Sequence, residues 1–168
     1  LLAACIQLQC TSDTARDWRV CEKLIREAAA AGARLIATPE NTTFLGPHDQ
    51  KVALAEDLEG PTRKRFSALA RELNITLLVG SIAEVAERDS SRCYNTSLLF
   101  EADGSLVSSY RKIHLFDVDV EDGVRFKESD TIVPGKTPVV GHSSCGKVGM
   151  SICYDLRFPE LYRILVDK

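Results

Sequence analysis

Three side chains of the kinds used in acyl transfer stand at the ends of strand-like runs: Glu40 after RLIATP, Lys112 after LVSSYR and Cys153 after VGMSI. A thiol at a sharp strand-to-helix turn is exposed as a nucleophile, and the turn leaves backbone N–H groups free to hold a developing oxyanion. The same position also suits a buried structural cysteine. Glu40 follows a short apolar run, and a strand-end carboxylate held partly out of water can act as a general base. Taken alone it reads equally as a helix cap or a surface acid. Lys112 could protonate a departing nitrogen or steady an oxyanion. Arg111 beside it carries the same charge, so composition does not choose between them, and solvated surface charge is the simpler reading of both.

A cysteine with a histidine suggests a papain-like pair, and His114 is the candidate partner. No His/Asn arrangement supports it. His48, His114 and His142 show no ligand spacing, and no two of the six cysteines form a CxxC, so a metal site is not expected. GxxxxGK[ST] and GxGxxG are both absent, and nucleotide cofactors have no positive signal.

The elements that must position these residues follow from the hydrophobic pattern. Residues 2–9 read as a strand. A helix capped by Asp13 or Thr14 follows from about Ala15 to Ala31, with Trp18, Cys21, Leu24 and Ile25 at helical spacing and Gly32 as its stop. Residues 34–38 return as a strand, completing a βαβ unit that delivers Glu40 to a carboxyl strand end, where open α/β sheets place chemistry. Residues 41–60 read as loop with one helical piece. Pro61 opens a helix to about Leu73. Residues 75–79 form a buried strand that continues after Gly80. Asp103-Gly104 between two β-like runs predicts a hairpin. The stretch 111–138 is long and irregular, as site-forming loops are. Two further strands joined through HSSCG lead to Cys153, and a helix begins near Arg157 with Pro159 in its first turn. The fold class expected is α/β with a mixed sheet.

With 168 residues, 45% hydrophobic and 27% charged, the chain has the composition of one soluble globular domain. A net charge of -3 without basic clustering speaks against nucleic acid, and Arg63, Lys64 and Arg65 read as the wet side of a helix. LLAACIQLQ is too short for a signal peptide or a membrane span, and no membrane partner is expected. Cys5 reads as a small core residue, and cysteine usage fits reduced thiols in a cytosol-like compartment. The expected location is cytoplasmic, or mitochondrial or plastid if a targeting segment has been removed. YRILVDK ends without a helix stop and the start is equally abrupt, so residues 1–168 read as one domain incomplete at its C-terminus.

PEN at 39–41, YRKIHLFD at 110–117 and CYDLRFPEL at 153–161 occur in this order, and together they closely resemble the carbon–nitrogen hydrolase (nitrilase) superfamily, nearest its Nit branch of deaminated glutathione amidases and omega-amidases. The resemblance implies a four-layer α-β-β-α sandwich, present here as its N-terminal part. It implies a Glu40–Lys112–Cys153 triad, with Lys112 rather than Arg111 as the catalytic cation. It also implies a supporting glutamate that orients Lys112; Glu128 is the match, with Glu121 nearby. The implied reaction is hydrolysis of a small linear amide through a thioester on Cys153, without metal or organic cofactor. Tyr154 and Arg157 are candidates for binding a substrate carboxylate, though Arg157 reads equally as a surface residue at a helix start. The implied partners are a small-molecule amide and, at full length, a second copy in a homodimer. Nitrile or N-carbamoyl hydrolysis, or an inactive fragment serving only as a binding or structural partner, are the competing expectations.

Overall fold

Five short runs between residues 3 and 111 build one mixed sheet, seen in a computed structural model that describes residues 1–119, Gly123 and 125–168. Its strands, in the spatial order of the sequence, are β1 (Ala3–Cys5), β2 (Leu35–Ala37), β3 (Thr76–Val85), β4 (Cys93–Phe100) and β5 (Leu106–Arg111). β1, β2 and β3 pair in parallel, and β3–β4 and β4–β5 are antiparallel. The parallel pairs need helical crossovers. These are α1 (Thr14–Ala30), capped by Asp13 through the Arg16 N–H at 2.9 Å, and, after the short α2 (His48–Ala53), α3 (Pro61–Leu73), which ends on Asn74 in the left-handed region.

One face of the sheet closes on α1 and α3, through Cys21, Ile25, Phe66 and Leu69 against Ile36, Leu77, Val79 and Leu98. The other face carries Leu99 and Tyr110, covered by Met150 and Ile152. On that side the hairpin β8 (Val140–Ser143) and β9 (Gly146–Gly149) lies over β4 and β5, and α4 (Pro159–Asp167) packs its Leu165 beside Gly149. Helices, sheet, strand pair and helix thus stack in the α-β-β-α order. The hairpin β6 (Asp117–Asp119) and β7 (Arg125–Lys127) forms a separate arm, followed by a 3-10 turn over Glu128–Asp130. Glu121 lies outside the described residues.

Two expectations need correction. The first strand covers only Ala3–Cys5: Ile6 still donates to the Ala37 carbonyl, after which the chain turns to meet buried Asp17, whose carboxylate accepts from the Thr11 N–H at 2.6 Å. Cys5 is exposed, because β1 is an edge strand and Ala4, not Cys5, faces the helical layer. The last strand of the second pair stops at Gly149, short of Cys153, and a 3-10 turn over Cys153–Arg157 precedes the helix.

Candidate active site

Glu40 stands two residues beyond Thr38, whose N–H makes the last ladder bond to β3. The turn that carries it is pressed onto β3 at Gly80. A Cβ on Gly80 would fall 2.3 Å from the Pro39 carbonyl oxygen, so only glycine admits the approach. Ser81 Oγ accepts the Asn41 N–H at 2.8 Å, and Thr42 Oγ1 donates to the Pro39 carbonyl at 2.6 Å. The register of β3 shifts at this point, between Val79 and Ile82. Asn41 itself has φ 55°, a region that asparagine tolerates better than most residues.

Lys112 and Arg111 diverge because successive residues at a strand end point to opposite faces. Arg111 pairs with Glu84 and lies over the Tyr94 ring, its guanidinium 3.9 Å from the centroid. Lys112 turns inward and is only 2% exposed. Its Nζ donates to Glu128 Oε2 at 2.9 Å, Glu128 Oε1 at 3.1 Å and Glu40 Oε1 at 3.1 Å. Glu128 is delivered by the segment after the arm. Thr131 and Val133 exchange backbone bonds with Cys93 on β4, and Glu128 Oε2 also accepts the Phe116 N–H at 2.7 Å. Asn95, from β4, donates Nδ2 to Glu40 Oε1 at 2.7 Å. Both bonds to Glu40 use one oxygen, which leaves Oε2 for another partner.

An ammonium this deeply buried is tolerable only when its protons are all accepted, and two carboxylates accept them. Burial by itself pulls the Lys112 pKa down; the Glu40 charge and the Glu128 hydrogen bonds outweigh it, so the net shift is upward. The cation therefore persists at neutral pH.

Cys153 reaches the same cavity from the opposite layer. Its φ is 47°, a left-handed conformation that costs an L-residue about 1–2 kcal/mol. Asp155, fully buried, holds the turn in that shape. Its carboxylate accepts the Ile152 N–H at 2.9 Å, the Tyr110 hydroxyl at 2.7 Å and the His114 N–H at 3.0 Å, and His114 Nδ1 lies 2.7 Å away. One side chain thus ties the cysteine turn to β5 and to the residue two after Lys112. His114 is stacked on Phe158 with centroids 3.7 Å apart, so its ring is engaged with Asp155 and Phe158. Burial raises the Cys153 thiol pKa, the Glu40 charge raises it further and Lys112 opposes. The upward shift favours the thiol over the thiolate at rest, and the Glu40 carboxylate lines the same cavity.

Glu40, Lys112, Glu128 and Cys153 line one cavity of about 350 Å³, walled by Phe44 and Phe116 among others. Tyr154 packs edge-on against Phe116 and Phe158 behind that wall. Arg157 is exposed and is not among the residues that line the cavity. Three polar residues not singled out from the sequence meet the site: Asn95, Asp155 and Lys51. Asp155 lies inside the CYDLRFPEL stretch, where a buried acid two residues after a nucleophile was a usable signal. Lys51 sits in a polar segment with no distinguishing pattern.

A sheet flanked by helices on one side and a strand pair on the other, with a thiol on a tight turn lining one cavity with a buried carboxylate–ammonium cluster, defines an α/β sandwich of the nitrilase type. The chain belongs to the carbon–nitrogen hydrolase family, which it matches over residues 2–168. It is 39% identical over 166 residues to the deaminated glutathione amidase of Synechocystis sp., covering 98% of this chain and 61% of that protein. It is 44% identical over 152 residues to omega-amidase NIT2 of Xenopus tropicalis, covering 89% of this chain and 53% of that one. In three dimensions it superposes on the C. elegans NitFhit protein with a TM-score of 0.86 at 29% identity, over 95% of this chain and 39% of the other. Saccharomyces cerevisiae Nit3, a member of branch 10 of the nitrilase superfamily, gives a TM-score of 0.82 at 30% identity, over 96% of this chain and 58% of the other. The chain therefore spans less than two thirds of the length of these relatives.

Proposed function

We propose that this chain carries the catalytic residues of an amidase that hydrolyses a small linear amide to a carboxylate and ammonia, with Cys153 as nucleophile, Glu40 as general base and Lys112 as the electrostatic partner. The observation that carries the proposal is the buried Lys112 ammonium held between Glu40 and Glu128 in the cavity that Cys153 lines. Glu40 takes the thiol proton as sulfur attacks the amide carbon. The oxyanion formed is stabilised by the nearby Lys112 charge and accepts from the Tyr154 N–H, a donor in the first turn of a helix-like segment. The protonated Glu40 returns its proton to the departing nitrogen, ammonia leaves, and an acyl thioester remains on Cys153. Glu40 then takes a proton from water as it attacks the thioester; the carboxylate is released and the thiol is restored. Glu128 touches Lys112 and acts by positioning it.

Deaminated glutathione is the first substrate candidate, supported by the name of the Synechocystis relative, and short keto-dicarboxylate monoamides come second, supported by the omega-amidase relative. Function as a homodimer is supported by the exposed apolar residues Leu156, Ile164 and Val166 on and beside α4. A reducing, cytosol-like compartment suits six cysteines that are all free, one of which must remain a thiol.

The test is intact-mass measurement after rapid mixing with the amide and acid quench. A mass increase equal to the acyl group, absent in Cys153→Ala, is expected. Turnover without any adduct on Cys153, or an adduct on another residue, would overturn the assignment.

A further inference from the structure

The catalytic cavity contains a second cation that the reaction does not use. Lys51 lies on α2, one helical turn after His48, and both residues line the cavity with Cys153, Glu40 and Lys112. The two lysines are held differently. Lys112 has two carboxylates on it. Among the described residues Lys51 Nζ has one hydrogen bond, to the neutral Asn41 Oδ1 at 2.7 Å, and no carboxylate within ion-pair distance. Its side chain is half-buried, and burial pulls its pKa down, opposed by the charges of Glu40 and Glu128 among others. An ammonium has three donors, so two are left for something that enters the cavity.

Asn41 fixes where they point. It follows Glu40 directly and is held in the left-handed region, with its N–H on Ser81 Oγ and its side chain on Lys51. The cation is therefore indexed to the same turn that places Glu40. The lining around it includes Phe44, Leu45, Phe116, Phe126 and Ile132, and the two carboxylates on the same cavity, Glu40 and Glu128, are both paired with Lys112. His48 is engaged with Thr131 Oγ1 at 3.0 Å and packs edge-on to Phe126, which leaves Lys51 as the ammonium with spare donors on that side. A low-dielectric wall with one under-paired ammonium attracts an anion and disfavours a neutral group, because the cation regains there the hydrogen bonds that it lost on burial.

We propose that Lys51, oriented by Asn41, is a specificity-determining residue that binds a carboxylate of the amide substrate at the end remote from the scissile bond. The inference rests on the amidase reading, and it narrows that reading to amides bearing an anionic group. It also assigns the carboxylate contact to Lys51, which lines the cavity, in place of the exposed Arg157, which does not.

The experiment separates this inference from the amidase reading by measuring binding without turnover. In a Cys153→Ser background, calorimetry compares a keto-dicarboxylate, the product of the proposed reaction, with its ester lacking the remote carboxylate. Adding Lys51→Ala is expected to weaken the diacid by about ten- to a hundredfold while changing the ester much less, and Lys51→Arg is expected to recover part of the loss. In the Cys153 protein the same substitution should lower the ratio of kcat/KM for the anionic over the neutral amide by a similar factor, mainly through KM. Equal weakening of diacid and ester, or no weakening of either, overturns the role of Lys51. If no amide is turned over but the diacid binds through Lys51, the amidase reading fails and the carboxylate site stands. Circular dichroism of each variant identifies any that has lost its fold, and Lys51→Gln, which keeps the length and one polar end, then takes the place of Lys51→Ala.

Discussion

The two halves of the site are built in opposite ways. On the sheet side, Lys112 is buried between Glu40 and Glu128, and all three have their places fixed by strand ends and ladder-like backbone bonds. On the other side, Cys153 is exposed, sits in a strained backbone conformation and keeps it through a clamp centred on Asp155. The sheet side is part of what holds the fold together. On the cysteine side the buried Asp155 clamp carries the turn, and the Cys153 thiol itself is held by no ion pair among the described residues. A site divided in this way keeps its charges ready before substrate arrives and leaves its nucleophile accessible.

The sharpest way to break the comparison is Lys112→Met, which leaves two facing carboxylates without their cation. A loss of about 3–5 kcal/mol is expected in chemical denaturation, together with loss of turnover. Asp155→Ala comes next. It strands the Tyr110 hydroxyl and the Ile152 and His114 N–H groups, and the cost is about 1–3 kcal/mol, with slower alkylation of Cys153 as the turn loosens. Cys153→Ala marks the other extreme: turnover is lost, yet the unfolding free energy should change by less than about 1 kcal/mol, as for a surface change. If Cys153→Ala destabilised as much as Lys112→Met, the division between the halves would be wrong.

Alkaline pH sharpens the same contrast. The Lys112 pKa is raised by folding, so its contribution is complete below the ordinary lysine value of about 10.4 and is lost as pH rises through the folded value. The Cys153 pKa is raised as well, so the unfolded thiol gives up its proton first and stability begins to fall above the ordinary thiol value of about 8.5. Melting curves between these two pH values should be flatter in Cys153→Ala than in the parent, and those above the lysine value flatter in Lys112→Met. His114→Gln supplies the smallest effect. It should reduce turnover far less than Glu40→Gln does, because the ring serves Asp155 and Phe158; an equal loss would favour the papain-like pairing.

The βαβ unit, the Pro61 helix and the Asp103-Gly104 hairpin were legible because apolar periodicity and turn chemistry are local. The choice of Lys112 over Arg111 was not legible from composition, since strand alternation decides it and the phase of the alternation is set by pairing with β4. It came instead from the YRKIHLFD resemblance. Cys5 misled because a short apolar run does not say whether its strand lies at an edge. Lys51 and Asn95 stayed hidden because each gains its meaning only from a residue ten or more positions away, Asn41 for the first and Glu40 for the second. The arm at β6 and β7, within a stretch expected to be irregular, pairs over only three residues on each side, too short to give a periodic signal.

The most direct measurement is ammonia release from deaminated glutathione and from a keto-dicarboxylate monoamide by the 168-residue chain, beside Cys153→Ala and Glu40→Gln. The account predicts ammonia and carboxylate in equal amounts from at least one of the two amides, abolished in Cys153→Ala and strongly reduced in Glu40→Gln. Release that persists in Cys153→Ala, or an absence of release from both amides by a chain shown to be folded, would contradict it.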